Sequence, residues 1–411
     1  MTFPKTERQA RFIEMADRLA GPIAERAERI DLENRFPTEN FRELHETGYL
    51  GLTIPERFGG LGANPLEFAL AQERIAYACG STGLASSMHL ILLGRLGDGD
   101  LWPDDIFGRV CRDAIERGAL INAVNSEPDL GSPSQGALPS TTATRVPGGW
   151  KIEGRKRWAS LAPELSWLFS LVAVVDGDAP PRRGNVLIPA DARGVRVEET
   201  WNNLGMRGTA SHDVVFDGVI VPNDALLPAE GPVAAASAPW FIFPGAAVYL
   251  GIAQAARDAA VEFARNRRPN GMSGSIAELP TVQHKVAEMD LALLPARTLL
   301  YATAERWVHH PEERDALAWQ LPAAKYTVTA AALKVTDLAL RVVGSAGLAL
   351  HSPLQRFFRD ARTALGHPPM EDAVLTLVGK TALGLLPEQS AAAAQPTPAR
   401  EAATQPALAA R

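Results

Sequence analysis

The sequence predicts an α+β protein built in three consecutive blocks, helical, then β, then helical again. Apolar residues recur every three or four positions in the first 119 residues and again from about residue 240, whereas the runs between are alternating or β-branched. The chain lacks βαβ alternation and any GxGxxG or Walker sequence, which sets it apart from a dinucleotide-binding Rossmann domain. The expected divisions are a helical domain over residues 1–119, a β domain over 120–232, a helical domain over 233–386 and a tail over 387–411.

In the first block, Phe12, Met15, Ala16, Leu19, Ala20, Ile23 and Ala24 make one buried helical stripe. Pro37 and Thr38 open a second helix that Gly48 closes, and Asn64 caps a third with Pro65 in its first turn. The β block places strands over 141–146, 150–152, 167–175, 195–200 and 214–221, with a turn at Pro147-Gly148-Gly149. The last block places helices over 251–267, 282–307, 323–343 and 371–385, with Pro295 and Pro322 expected to kink or interrupt them. The Ala/Pro/Gln tail has no aromatic residue and is expected to be disordered.

With 46% hydrophobic residues among 411, the chain can bury a sizeable core. Its 41 Lys and Arg against 47 Asp and Glu form no like-charged block, so neither nucleic acid nor an anionic membrane is expected as a partner. Cys79 and Cys111 make no thiolate zinc clamp and no disulfide framework, and no metal is expected. The first residues lack an apolar signal core, and no run approaches the roughly 18 apolar residues of a membrane span. A cytoplasmic protein is expected.

Three segments can carry chemistry. Residues 55–62, PERFGGLG, lack the Lys-Ser/Thr of a P-loop and read as a tight turn. Residues 125–132, NSEPDLGS, put small hydroxyls at the end of an apolar strand, and Trp158-Ala159-Ser160 puts an indole and a hydroxyl at the end of another. Alone, the first of these two serves equally as an ordinary turn and the second as a core tryptophan.

Together with Leu204-Gly205-Met206-Arg207-Gly208-Thr209 and Arg359-Asp360-Ala361-Arg362, their order resembles the acyl-CoA dehydrogenase superfamily over residues 1 to about 386. The resemblance implies an N-terminal all-α domain, a middle β-barrel domain, a C-terminal four-helix bundle, and FAD held where they meet. It implies that Ser126 and Ser132 contact flavin, with Ser132 also near the substrate thioester, that Trp158 lies beside the isoalloxazine, and that the Ser160 hydroxyl faces flavin N5. It implies that Arg267 reaches the FAD of a neighbouring subunit, so that the enzyme is a dimer or tetramer. Phe241 and His89 fall on segments that the resemblance places near the acyl pocket.

The departures concern the base. Members of the superfamily carry a Glu nine residues after the Arg of the RDA motif, and Pro368 stands there, without a titratable group or an N–H. Pro280 and Arg341 likewise replace two common glutamines. A loop insertion of three residues would give the base position to Glu371. Without one, His367 falls on the histidine of flavin monooxygenases of this superfamily, which Arg359-Asp360-Ala361-Arg362-Thr363 and His367 resemble. Two activities follow as expectations. The leading one is α,β-dehydrogenation of a CoA or carrier-protein thioester with an electron-accepting flavoprotein, and the alternative is oxygenation with oxygen. A flavin-binding scaffold without turnover is a third reading.

Overall fold

The computed structural model describes residues 3–99, 101–128, 138–227 and 238–385. Ser132, the expected boundary at residue 232 and the expected tail lie outside the described residues.

The first block holds α1 (Glu7–Glu33), α2 (Thr38–Glu46), α3 (Pro65–Ala78), α4 (Gly80–Asp98) and α5 (Asp104–Arg117). The Thr6 hydroxyl accepts the Gln9 N–H to start α1, whose stripe Phe12, Met15, Ala16, Leu19 and Ile23 is buried. Asn64 and Glu67 satisfy each other's backbone N–H groups as a capping box that starts α3. Helix α4 is buried on nearly every side, so it carries no periodic stripe to read. Residues 56–58 form a single 3₁₀ turn followed by Gly59 in the left-handed region, the tight turn expected there.

The middle block is one eight-stranded sheet of β1 (Leu120–Ala123), β2 (Thr142–Val146), β3 (Gly149–Ala159), β4 (Leu165–Val175), β5 (Arg182–Pro189), β6 (Val195–Glu198), β7 (His212–Pro222) and β8 (Leu226–Leu227). Its order is β6-β7-β3-β2-β4-β5-β8, with β1 on β4. Both β1 and β2 run parallel to β4, β1 beside Leu165 to Phe169 and β2 beside Ala173 to Val175. Ser126 lies just after β1, beside that gap, where the Val124 N–H donates to the Phe169 carbonyl and the Leu171 N–H to the Asn125 side chain.

The last block holds α6 (Ala238–Asn266), α7 (Pro280–His309), α8 (Arg314–Leu317), α9 (Gln320–Val343), α10 (Pro353–Arg362) and α11 (Glu371–Ala382). Helices α6, α7, α9 and α10 pack on one another around a core that includes Tyr249, Leu293, Trp307, Val328 and Phe357. Neither proline interrupts its helix: Pro295 lies inside a continuous α7, and Pro322 lies in the first turn of α9, where an N–H has no intrahelical partner to lose. Helix α6 is apolar and long enough to cross a membrane, yet 78% of that stretch is buried within the protein. It also crosses α3 closely, since a Cβ on Gly251 would stand 2.3 Å from the Glu73 carbonyl oxygen.

Candidate active site

Trp158 sits where the register between β3 and β7 slips, between Lys156 and Ala159. The bulge holds it at φ 59°, a left-handed conformation that costs a non-glycine residue on the order of 1 kcal/mol. The result is an indole 60% exposed, with the Arg157 guanidinium 5.8 Å from its ring centre. A large ring turned outward at a strained position fits a site for a planar aromatic group, and a core tryptophan it is not.

Two residues on, Ser160 is half-buried and its Oγ lies 2.8 Å from Ser211 Oγ. Ser211 Oγ lies 2.8 Å from Thr209 Oγ1, and the Thr209 hydroxyl donates to the Met206 carbonyl at 2.9 Å. The Asn122 side chain donates to the Ser160 carbonyl at 3.0 Å, tying β1 to the end of β3. The backbone of Ser126 is held likewise, its carbonyl accepting the Arg157 N–H at 2.8 Å. Next to it, Glu127 accepts from the backbone of Ser140 and Thr141 and from Lys156 Nζ, and Lys156 also donates to the Leu171 carbonyl. That ion pair is fully buried, its side chains 0% and 1% exposed. Burial pushes the Glu127 carboxyl up, but the hydrogen bonds from Lys156 and Thr141 outweigh it and hold it below its ordinary range.

The Met206 loop meets α10 at the RDA motif. Gly205 lies so close that a Cβ there would stand 2.4 Å from the Arg359 carbonyl oxygen. The Met206 N–H donates to Asp360 at 2.6 Å, and Arg359 pairs with Asp31 of α1. Burial pushes the Asp360 carboxyl up to about 6, against the opposing pull of that N–H. One polar chain thus runs from Ser160 through the loop to the bundle.

After α10 the chain turns back through His367. Tyr249 on α6 lies 2.6 Å from His367 Nδ1, and Lys325 on α9 donates to the carbonyls of Ala364, His367 and Pro369. No other acceptor for the Tyr249 hydroxyl is found among the described residues, so the hydroxyl donates and His367 carries its proton on Nε2. Burial, with the Lys325 ammonium nearby, pushes His367 down to about 4, so it is neutral at ordinary pH. Glu371, by contrast, is an exposed residue in the first turn of α11, on a cleft of about 280 Å³ shared with Lys325, Thr329 and Leu365.

The other expected residues fall as follows. Phe241 is half-buried against the core shared by the first two blocks. Arg267 is exposed just past α6 and makes no side-chain hydrogen bond or ion pair among the described residues. For His89 the structure gives a correction. It is 0% exposed, Nε2 bonded to the Leu50 carbonyl at 3.1 Å and Nδ1 accepting the Ile121 N–H at 3.2 Å. Burial pushes it down to about 4, and with both nitrogens engaged by backbone it has none to offer a substrate. The residues that position the site, Tyr249, Lys325, Ser211 and the Glu127–Lys156 pair, have no signature of their own in the sequence. Thr209 and Glu127 do stand inside the segments singled out above, the one in residues 204–209 and the other in residues 125–132, but nothing there marks either as a positioning residue.

Three family models match in order: the acyl-CoA dehydrogenase N-terminal domain over residues 6–97, the middle domain over 123–219 and the C-terminal domain over 245–371. YdbM of Bacillus subtilis (strain 168) is 38% identical over 91% of this chain and 97% of its own length. Benzylmalonyl-CoA dehydrogenase of Aromatoleum aromaticum is 33% identical over 84% of this chain and 89% of its own. The solved FMN-bound TdsC of Paenibacillus sp. A11-2, a dibenzothiophene monooxygenase, superposes with a TM-score of 0.81 at 26% identity, covering 92% of this chain and 98% of that one. With all three domains present in order and its relatives matched over nearly their whole length, the chain belongs to the acyl-CoA dehydrogenase family and is an enzyme of that superfamily.

Proposed function

We propose that the protein is a flavin-dependent oxidoreductase that uses reduced flavin and oxygen to oxygenate a small-molecule substrate. The observation that carries this reading is the 363–370 loop. The position nine residues after Arg359 is Pro368, which has no acid and no N–H. Its neighbour His367 is held by Tyr249 and by the Lys325 ammonium, while Glu371 stands in solvent. The likeness to FMN-bound TdsC supports it.

When bound, the flavin supplies two-electron redox chemistry and, reduced, the reaction with oxygen. The chain's residues position and protect. Trp158 covers a ring face and keeps water from it, and Ser126 and Ser160 bring polar groups to the ring edge. His367 has its Nε2–H free, among the described residues, to donate to an oxygen atom of the substrate or of dioxygen, and the Tyr249 hydroxyl fixes that tautomer. Arg267 serves the flavin of a neighbouring subunit in a homo-oligomer. That contact suits the diphosphate of FAD, and FMN, which TdsC binds, is the alternative. The mass of the flavin released on denaturation decides between them.

Thioester dehydrogenation is the second reading, favoured by the 33% identity to benzylmalonyl-CoA dehydrogenase. In it Glu371 takes the α-proton. Anaerobic mixing of the flavin-loaded enzyme with a panel of acyl-CoAs separates the two. The oxygenase shows no bleaching of flavin absorbance by any thioester and forms product only with a flavin reductase and oxygen. Bleaching by a thioester alone would overturn it.

A further inference from the structure

Valence couples the three hydroxyls of the Ser160–Ser211–Thr209 chain, so that the end that closes on the Met206 carbonyl sets the direction of the rest. Each hydroxyl has one proton to give. Thr209 gives its proton to the Met206 carbonyl at 2.9 Å, so the proton between Thr209 and Ser211 comes from Ser211. Ser211 then has none left, and the proton between Ser211 and Ser160 comes from Ser160. In this arrangement Ser160 presents only lone pairs outward. It can accept a hydrogen bond from what lies against it but cannot donate one.

The opposite arrangement is also within reach. If Ser160 turns its proton outward, Ser211 donates to Ser160 and Thr209 donates to Ser211. The Met206 carbonyl then loses one donor but keeps two, the Trp201 indole N–H at 3.2 Å and the Thr209 backbone N–H at 3.1 Å. Thr209 is 0% exposed and Ser211 only 5% exposed, so water does not supply the missing partners. All three hydroxyls must therefore turn together.

We infer that Ser211 and Thr209 are positioning residues that make the Ser160 hydroxyl a redox-sensing contact, an acceptor toward reduced flavin and a donor toward oxidised flavin. The inference rests on the reading that Ser160 faces the flavin ring, and it holds for oxygenase and dehydrogenase alike. Reduced flavin carries a ring N–H that the oxidised form lacks, so one needs an acceptor where the other needs a donor. The arrangement with the more complete internal hydrogen bonding, the one that closes on the Met206 carbonyl, suits the reduced form. No proton leaves its oxygen. The hydroxyls only rotate, and the two electrons and the ring proton come from whatever reduces the flavin.

The test is the midpoint potential of the bound flavin, with the affinity of the apoprotein for oxidised flavin measured alongside. In Thr209→Val the inward acceptor is gone, so Ser211 donates to Ser160 and Ser160 donates outward in both redox states. The preference for reduced over oxidised flavin should fall about tenfold, the worth of one hydrogen bond, which is ~30 mV toward lower potential for two electrons. Ser211→Ala, which cuts the chain at a less buried residue, should shift it the same way. Thr209→Ser, which keeps the hydroxyl, should restore the wild-type potential. An unchanged potential in folded, flavin-bound Thr209→Val and Ser211→Ala proteins overturns the inference, as does a shift in Thr209→Ser as large as that in Thr209→Val. Failure of every variant and of the wild type to bind flavin would instead overturn the reading of the site.

Discussion

At the scale of single residues, the two groups that compete for the chemistry are separated by their surroundings. His367 is fixed by one hydroxyl on its ring and by an ammonium on its backbone, whereas Glu371 is exposed on the cleft it shares with Lys325 and makes no hydrogen bond there among the described residues. His367→Ala should therefore lower oxygen-dependent turnover by about 10² to 10⁴, and Glu371→Gln should leave it within a few fold. Tyr249→Phe should give a smaller loss, because it frees the tautomer without removing the ring. Coupled assays with a flavin reductase, scored for product and for released peroxide, measure all three. Histidine burial also sets the acid limit of the fold. His89 titrates near 4 when folded against an ordinary 6.5, so the unfolded chain binds the extra proton between those values and stability falls as pH drops through that window. The loss from His89 is about 3 kcal/mol. Asp360 works the other way, since its folded value near 6 lies above the ordinary 3.8 and its protonated form is the more stable one there. Asp360→Asn should thus steepen the fall in melting temperature between pH 6 and 4, as scanning calorimetry can record. An equal or shallower fall would remove Asp360 from this account.

At the scale of elements, the buried Glu127–Lys156 pair joins the Ser126 loop to β3 and β4. Removing one partner leaves the other charge unpaired in the core, which costs roughly 3 to 5 kcal/mol. Lys156→Met should lower the melting temperature and weaken flavin retention, and adding Glu127→Gln should recover part of both. A single variant as stable as wild type would show that water reaches the pair. The same segment shows what a sequence can and cannot reveal. Helix α1 was legible because one face of it is apolar, and α3 because Asn64, Pro65 and Glu67 announce its start. Helix α4 was not, because burial on nearly every side erases the stripe, and β5 was not, because it opens on Arg182-Arg183-Gly184. At the site, Trp158 and Ser160 were legible through a local motif. Tyr249 and Lys325 were not, since each meets His367 from a helix distant in sequence, and nothing near either of them marks the contact. Pro295 does not interrupt α7, which runs unbroken from Pro280 to His309.

At the scale of the whole molecule, the C-terminal bundle carries apolar residues that none of the described residues covers. Leu291 and Leu294, three apart on one face of α7, are 69% and 64% exposed, and Arg267 at the end of α6 is a cation without a partner among the described residues. A subunit interface would cover the leucines and give the arginine an anion, the flavin phosphate of the neighbour. Two variants separate these roles. Arg267→Ala should keep the oligomer intact yet lose flavin on gel filtration, because it removes one charge-assisted contact worth about 1.5 to 3 kcal/mol and little packing. Leu291→Asp with Leu294→Asp should split the oligomer in sedimentation velocity and lose flavin as a consequence, since the arginine then reaches no neighbour. A fully active, flavin-loaded monomer would end the idea of a shared site. So would an Arg267→Ala protein that holds flavin as tightly as wild type, whatever its oligomeric state.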